Sequence, residues 1–246
     1  MDANPKNTEA TPFEKYSTPV SVLLGAVIIA GALYWGGDAP RPSANPQQAA
    51  EQGPSKEQLA KVAPITAEDH VRGSRNADVF VVEYSDTECP FCKRFHDTMR
   101  QVMGDYEAGG KVAWVYRHFP LDSLHKKART EAVALECANE QGGNDAFWKY
   151  ADRLFEITPS NDGLDSAELP KIATFVGLDA AKFSTCLTSG KYDAHIEAEA
   201  QNAQATGGQG TPWSIIVTKS GKNYPLSGAQ PAESVKQAIE TALKGK

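Results

Sequence analysis

The stretch VFVVEYSDTECPFCKRFH, from Val79 to His96, contains the features that decide the fold. It opens with VFVVEY, a mostly apolar run whose length and β-branched content predict a buried strand. After a short polar turn, the motif CPFC at positions 89–92 begins a segment that predicts a helix. Pro90 falls in the first helical turn, where its missing N–H and fixed φ are favourable. Cys89 is therefore placed at a helix N-terminus, where free N–H groups and the helix dipole favour a thiolate.

The two cysteines of this motif are one helical turn apart, close enough to form a small disulfide. A buried strand that delivers C-x-x-C to the start of a helix predicts thiol–disulfide exchange. Cys89 is the predicted nucleophile, because exchange proceeds by thiolate attack through a mixed disulfide. Cys92 either resolves that intermediate or is regenerated as the partner of Cys89. The alternative for this pair is an inert structural disulfide.

The overall composition fits one folded domain with additional segments. The chain has 246 residues, 41% of them hydrophobic, and a formal net charge of −6. That length suffices for a domain of ordinary size plus appendages. Because the charge is mildly acidic and the sequence has no basic stripe, it argues against a nucleic-acid partner.

The N-terminal part predicts an exported protein held at a membrane. Residues 17–37 form an uncharged, mostly apolar span of about the length that a bilayer requires, which predicts a transmembrane anchor after a short cytoplasmic tail at 1–16. Residues 38–63 are rich in proline, alanine and glutamine, which predicts a flexible linker. A cleaved signal peptide is the alternative, since Ala30 and Ala32 have the spacing of a cleavage site. In either case the remaining chain is extracytoplasmic, in the periplasm or at the cell surface.

The folded domain is predicted from residue 64 to residue 246. A second strand at 111–119 follows the cysteine helix, and this β-α-β order predicts a parallel strand pair. A helical block at 121–206 comes next, with a break between helices at 126–141 and 145–156, the second of which Asn144 would cap. Two strands and a helix close the chain, at 213–218, 223–226 and 233–243.

This order of elements resembles the thioredoxin fold with an inserted helical domain, as in the DsbA-like thiol:disulfide oxidoreductases. The resemblance covers residues 65–246 and rests on CPFC after a strand, on Thr211-Pro212 before a strand, and on the HFPL…ECA…FW…CL helical block. It implies an enzyme that introduces disulfides into exported proteins, with no metal and no cofactor beyond the redox-active disulfide. Its implied partners are unfolded or reduced exported proteins and a membrane reoxidant linked to quinone.

The resemblance also implies a substrate-binding surface around the cysteines. Pro212 resembles the cis-proline that faces the active-site disulfide, where it presents the backbone of Thr211 for pairing with an extended substrate. Pro90 and Phe91 of the motif, together with Trp213, would supply an apolar rim for unfolded chains of varied sequence. The alternative for Pro212 is an ordinary turn proline before a strand.

Glu83 is a carboxylate within an otherwise apolar strand. Such a group is costly to bury unless it is paired or functional. In the DsbA-like family an acidic residue at this place lies beneath the disulfide and affects proton transfer to the second cysteine, which implies the same catalytic role for Glu83. The alternative is a solvated or salt-bridged strand end.

The residues that flank the motif predict an oxidant of intermediate strength. Phe91 carries no positive charge, unlike the histidine found there in the strongest oxidants of the family. Glu88 opposes formation of the Cys89 thiolate, whereas Lys93 and Arg94 favour it.

The other two cysteines, Cys137 and Cys186, both lie in the helical block. In an exported protein a bonded pair is expected over two free thiols. We therefore predict a structural disulfide that joins two helices.

Other functions remain as alternatives. His96 lies on the helix face of Cys89 and Cys92, which allows a copper or zinc carrier that uses these three ligands. Within the same enzyme class, a disulfide reductase or isomerase is an alternative. A further alternative is a module that binds unfolded chains without redox turnover. His118 and His125 receive no predicted role.

Overall fold

The computed structural model of the chain describes residues 53–245. Its centre is a five-stranded mixed sheet. In chain order the strands are β1 (His70–Gly73), β2 (Val79–Ser85), β3 (Val112–His118), β4 (Trp213–Thr218) and β5 (Asn223–Ser227). Their order across the sheet is β1-β3-β2-β4-β5. The β2–β3 pair is parallel, as the β-α-β order predicts, and the other pairs are antiparallel.

Helices cover the sheet and build the inserted block. In chain order they are α1 (Lys56–Leu59), α2 (Pro90–Tyr106), α3 (Ala128–Ile157), α4 (Glu168–Phe175), α5 (Ala180–Leu187), α6 (Asp193–Ala205) and α7 (Ala232–Lys244). A 3₁₀ turn at Glu107–Gly109 follows α2. The predicted thioredoxin-like α/β fold with a helical insertion is confirmed.

The central strand β2 is buried along its whole length because the sheet is covered on both faces. Val79 and Val81 belong to one core, which includes residues of α2, α3 and α7. Phe80 and Val82 belong to the other core, which includes residues of α1 and α6. Alternate side chains of a strand point to opposite faces. A strand covered on both faces therefore reads as an almost continuous apolar run, as VFVVEY does.

The break predicted within the helical block is confirmed. The span α3 consists of two helical stretches that meet at a kink, where the backbone of Gly143 is not helical (φ 67°). Glycine adopts a positive φ at little cost, so the first helix can end there. Asn144 does not cap a helix. Its side-chain amide bonds the N–H and the carbonyl of Val71, at 2.8 Å each, and so holds the short strand β1, which the sequence did not predict.

The end of the predicted linker packs on the domain. Ser55 caps α1 with a capping box, and Leu59 of α1 is buried. The Asn202 side chain of α6 accepts from the N–H of Ala63 at 3.0 Å and donates to the carbonyl of Lys61 at 2.8 Å. The linker predicted for 38–63 therefore does not extend to residue 63, because its last residues contribute to the second core and hydrogen-bond to α6.

The predicted anchor at 17–37 lies outside the described residues. Within residues 53–245, none of the helices combines the length and the apolar character needed to cross a membrane.

A disulfide joins Cys137 of α3 to Cys186 of α5, with Cα atoms 5.8 Å apart. It closes a loop of sequence separation 49 within the helical block. The bond therefore restricts the unfolded chain and links two helices that pack on each other.

Replacing both cysteines, as in Cys137→Ala with Cys186→Ala, should lower the free energy of unfolding by about 4 kcal/mol, the chain-entropy cost for a loop of this size. Urea unfolding of the oxidised variant and the oxidised wild type measures the difference. Exchange at Cys89 should persist at temperatures where the variant is folded. Loss of exchange in the folded variant would contradict a purely structural role.

Candidate active site

The cysteine pair lies where β2 ends and α2 begins. The N–H of Cys89 donates to the carbonyl of Asp86 at 3.2 Å, and the N–H of Lys93 donates to the carbonyl of Cys89 at 3.1 Å. Both cysteines are thiols. Cys89 is 5% exposed and Cys92 is completely buried. An incoming sulfur therefore reaches Cys89, in accord with the roles predicted from the sequence.

The surroundings move the pKa values of the two thiols apart. The pKa of Cys89 is lowered to about 6, first by a hydrogen bond with Cys92 and further by the Thr211 side chain and by N–H groups at the helix start, against the effect of burial. Burial raises the pKa of Cys92 well above its ordinary value, and the charges of Cys89 and Glu83 raise it further. At neutral pH the pair is a Cys89 thiolate beside a Cys92 thiol.

The segment that precedes β4 faces the thiol of Cys89. The Thr211–Pro212 peptide bond is cis. The Cys89 Sγ lies 3.5 Å from the carbonyl oxygen of Thr211. Strand β4 carries this segment into place, because its first residue, Trp213, pairs with Tyr84 of β2. Two stretches more than a hundred residues apart in the sequence therefore meet at one site.

The apolar rim around the thiol is smaller than the sequence predicted. Phe91 is 54% exposed, and Pro90 is exposed beside it. Trp213, however, is only 3% exposed, and its Nε1 donates to Thr206 Oγ1 at 2.9 Å. Trp213 therefore belongs to the second core and not to the rim, because Gly208 lets the α6–β4 connection pack directly on its ring.

Glu83 is completely buried beneath the cysteines, which excludes the solvated strand end. Its Oε2 accepts a hydrogen bond from Trp114 Nε1 at 2.9 Å, and its Oε1 has no partner among the described residues. Burial raises the pKa of Glu83 to about 7, and the charge of Cys89 adds to this effect. A carboxyl group with this pKa can hold or release a proton near Cys92 at neutral pH.

A second acid, Asp86, connects the cysteine turn to a histidine that the sequence left without a role. The Asp86 N–H donates to Cys92 Sγ at 3.4 Å. Its Oδ2 accepts from the N–H of Leu121 at 2.7 Å and bonds His125 Nδ1 at 2.9 Å. Burial opposes a charge on His125, yet the bond to Asp86 and the charge of Cys89 raise its pKa. Sequence spacing gives no signal for this contact, which depends on the loop after β3.

Glu88 and Glu131 form a third acidic feature beside the motif. Both side chains are buried. Burial and the neighbouring Glu88 carboxyl raise the pKa of Glu131 to about 9. Glu131 therefore keeps its proton at neutral pH, which limits the negative charge next to Cys89.

The remaining flanking residues are engaged away from the thiols. His96 Nε2 bonds Asp152 Oδ1 at 2.8 Å, and its ring stacks on Phe155. The Lys93 ammonium donates to the carbonyl of Thr158 at 2.6 Å. The structure therefore does not bring His96 to Cys89 and Cys92 as a metal ligand.

Comparison with known proteins agrees with the fold and with the arrangement of the site. A family model described as "Thioredoxin" matches residues 66–241. The chain belongs to the thioredoxin family. Its DsbA-like character, inferred from the motifs, is confirmed by its similarity to a solved DsbA2 structure.

Two solved thioredoxin-fold structures illustrate the similarity. DsbA2 of Pseudomonas aeruginosa is 29% identical, with a TM-score of 0.61, and the match covers 72% of this chain and 96% of that chain. Oxidised BdbD of Bacillus subtilis is 22% identical, with a TM-score of 0.63, over 78% of this chain and 96% of that chain. At the lower identity the likeness concerns the fold alone.

Curated relatives carry the same domain within longer proteins. Na(+)/H(+) antiporter NhaA 3 of Salinispora tropica is 38% identical over 144 residues, and NhaA 1 of Salinispora arenicola is 32% identical over 178 residues. The matches cover 58% and 72% of this chain but 21% and 25% of those proteins. The chain thus spans at most about a quarter of their length, and the antiport in their names is an activity of those longer proteins.

The Thr211 hydroxyl can be tested as a determinant of the Cys89 pKa. Thr211→Val removes the hydroxyl and keeps the shape, so the pKa of Cys89 should rise above about 6. The pH dependence of the alkylation rate of the reduced protein measures this pKa. Thr241→Val, on helix α7, is the matched control and should leave it unchanged. An unchanged pKa in Thr211→Val would contradict the assignment.

Glu83 should make stability depend on pH. The folded-state pKa of about 7 lies above the ordinary value of 4.5, so the unfolded chain loses the proton first as pH rises. Stability should therefore fall between pH 4.5 and 7, by up to about 3 kcal/mol relative to Glu83→Gln. Urea unfolding of the oxidised proteins across this range is the measurement. The exposed control Glu233→Gln should show the same change of unfolding free energy with pH as the wild type. If Glu83→Gln also shows that change, burial of Glu83 is not its cause.

Proposed function

We propose that this protein is a membrane-anchored, extracytoplasmic thiol:disulfide oxidoreductase that introduces disulfides into exported proteins. The observation that carries the proposal is the Cys89 thiol itself. It has a pKa lowered to about 6, starts a helix, and faces the cis Thr211–Pro212 bond. A cysteine that is stable as a thiolate favours the reduced form of the enzyme, which makes its disulfide a good oxidant.

The exchange reaction begins with Cys89 and Cys92 joined. A substrate thiolate attacks the Cys89 Sγ, forms a mixed disulfide with it, and releases Cys92 as a thiolate. A second substrate thiolate then attacks the substrate sulfur of the mixed disulfide and releases Cys89 as a thiolate. The substrate has lost two electrons and gained one disulfide, and the enzyme holds the two electrons as a dithiol.

Glu83 serves the released Cys92. The pKa of Cys92 lies well above its ordinary value, so the Cys92 thiolate takes up a proton as it forms. With a pKa of about 7 in a completely buried position, Glu83 supplies that proton and recovers one when the disulfide is formed again.

Substrate recognition uses backbone and apolar contacts. The carbonyl of Thr211 lies at the thiol and can pair with an extended chain. Phe91, at 54% exposure, and Pro90 offer an apolar surface that does not require a particular substrate sequence. These contacts suit unfolded or reduced chains.

The location and the reoxidation partner rest on the sequence and on the DsbA-like resemblance. The uncharged span at 17–37 supports a single-pass anchor with the enzyme outside the cytoplasm. Catalytic turnover needs an acceptor for the two electrons of the reduced enzyme. A membrane protein that passes electrons to quinone can serve as this acceptor, and the anchor would hold the enzyme in the same membrane.

The reduction potential of the Cys89–Cys92 pair tests the direction of the reaction. A fragment that begins at Gly53 should be used, since residues 55–63 pack on the domain. Equilibration in glutathione buffers, with thiol trapping read at the peptide that contains both cysteines, excludes signal from Cys137 and Cys186. We expect a value near or above about −180 mV, and a value near about −270 mV would instead indicate a reductase.

Cys89→Ser is the control for the exchange itself. It should abolish oxidation of a reduced substrate protein, because the attacked sulfur is missing. Oxidation that persists in Cys89→Ser would contradict the assigned mechanism.

A further inference from the structure

Three histidines converge on one buried carboxylate, away from the cysteine motif. His70 Nε2 lies 2.7 Å from Glu136 Oε1, and His118 Nε2 lies 2.9 Å from the same oxygen. His195 Nε2 lies 3.6 Å from it. The residues come from four elements: His70 from β1, His118 from β3, Glu136 from α3 and His195 from α6. The cluster therefore forms only in the folded chain.

Hydrogen bonding accounts poorly for this arrangement. The side chains of His70, His118 and Glu136 are exposed by only 2%, 1% and 4%. If both buried rings donate through Nε2, their Nδ1 atoms become acceptors, and His118 Nδ1 is buried without a partner among the described residues. If the rings are protonated instead, several charges are buried together, which is costly.

The same convergence of ligand atoms also admits a bound cation. Zinc binds histidine nitrogen at about 2.0–2.1 Å and carboxylate oxygen at about 2.0–2.2 Å in a tetrahedron, which separates ligand atoms by about 3.3 Å. Glu136 Oε1 lies 2.7, 2.9 and 3.6 Å from the Nε2 atoms of His70, His118 and His195, so the two buried rings must move away from the carboxylate by about half an ångström to admit zinc. The ligand atoms of His70, His118 and Glu136 all lie within 4.8 Å of one another. His195 does not belong to this group of ligand atoms, so its partly exposed side chain must move inward to complete the set.

The charges around the cluster also favour a cation. Glu199 Oε1 lies 3.5 Å from His195 Nε2, and Glu68 contributes to the same field. The nearby guanidinium of Arg117 is paired with Asp69 at 2.8 Å.

A cavity lies against one member of the cluster, His195. It has a volume of about 190 Å³ and is lined by His195, Glu199, Glu68 and Asp69, among others. The His195 side chain is 35% exposed, so it stands between this acidic cavity and the buried ligands.

We propose that His70, His118, His195 and Glu136 form a structural zinc site. Three neutral imidazoles and one carboxylate would fill all four positions of the metal, and a closed coordination sphere without an open position distinguishes structural from catalytic zinc sites. Binding requires Nε2 of each ring to be free of its proton, so the metal replaces protons in the cluster. The bound ion would tie the short edge strand β1 to β3 and to helices α3 and α6. The site shares no residue with the exchange reaction.

The test separates this site from the cysteines, which also bind zinc. The full chain with Cys89→Ser and Cys92→Ser should be stripped with a chelator and titrated with Zn²⁺ by calorimetry, with metal content measured after dialysis. We expect one zinc ion per chain and a higher melting temperature with zinc. Ca²⁺ and Mg²⁺, which prefer oxygen ligands, should have neither effect.

Variants in the same background assign the ligands. His195→Ala changes a partly exposed side chain, so the fold should be kept, and the zinc affinity should fall by more than about tenfold. His118→Gln should abolish tight binding, and His125→Gln, outside the cluster, should bind as the parent does.

Cobalt gives an independent readout. Co²⁺ in the parent should show the visible bands of a tetrahedral nitrogen and oxygen site, and His195→Ala should alter them. No zinc retained by the folded parent, or equal affinity in the parent and His195→Ala, would overturn the proposal and leave the cluster as a hydrogen-bond network.

Discussion

The antiparallel pairing of β2 with β4 is the contact on which the active site depends. Tyr84 and Trp213 are opposite each other in this pair, and the residues that flank them in the chain lead to the cysteine motif and to the cis-proline. The pairing therefore fixes where Thr211 meets Cys89. Both strands are held by cores on the two faces of the sheet, so the position of the thiol does not depend on loop structure alone.

Burial of acidic groups is the second constraint. Glu83, Asp86 and Glu131 lie under or beside the cysteine turn, and burial raises the pKa of each. Glu131, whose pKa is about 9, keeps its proton at neutral pH and so adds no negative charge that would oppose the Cys89 thiolate. Burying these acidic groups also lowers the stability of the fold. Active sites commonly reduce stability in this way.

The sequence predicted most of the fold because the relevant signals are local. Strand β2, helix α2 and the parallel β3 follow from apolar runs and breaks within a few residues. It missed β1, whose four residues carry no alternating pattern and are held by Asn144 from a distant helix. It also placed Trp213 on the rim, because a residue's type and place in a motif do not show which face of a strand is covered.

The sequence by itself determined the chemistry: two cysteines one turn apart at a helix start, a proline before a strand, and a carboxylate in an apolar run. These are short-range patterns, and each has a direct physical meaning. Only the tertiary structure decided which distant groups act together. Three groupings join separate elements: the contact of Asp86 with His125, the proximity of Glu88 to Glu131, and the convergence of His70, His118 and His195 on Glu136. Such contacts depend on packing geometry, which the spacing of residues along a chain does not encode.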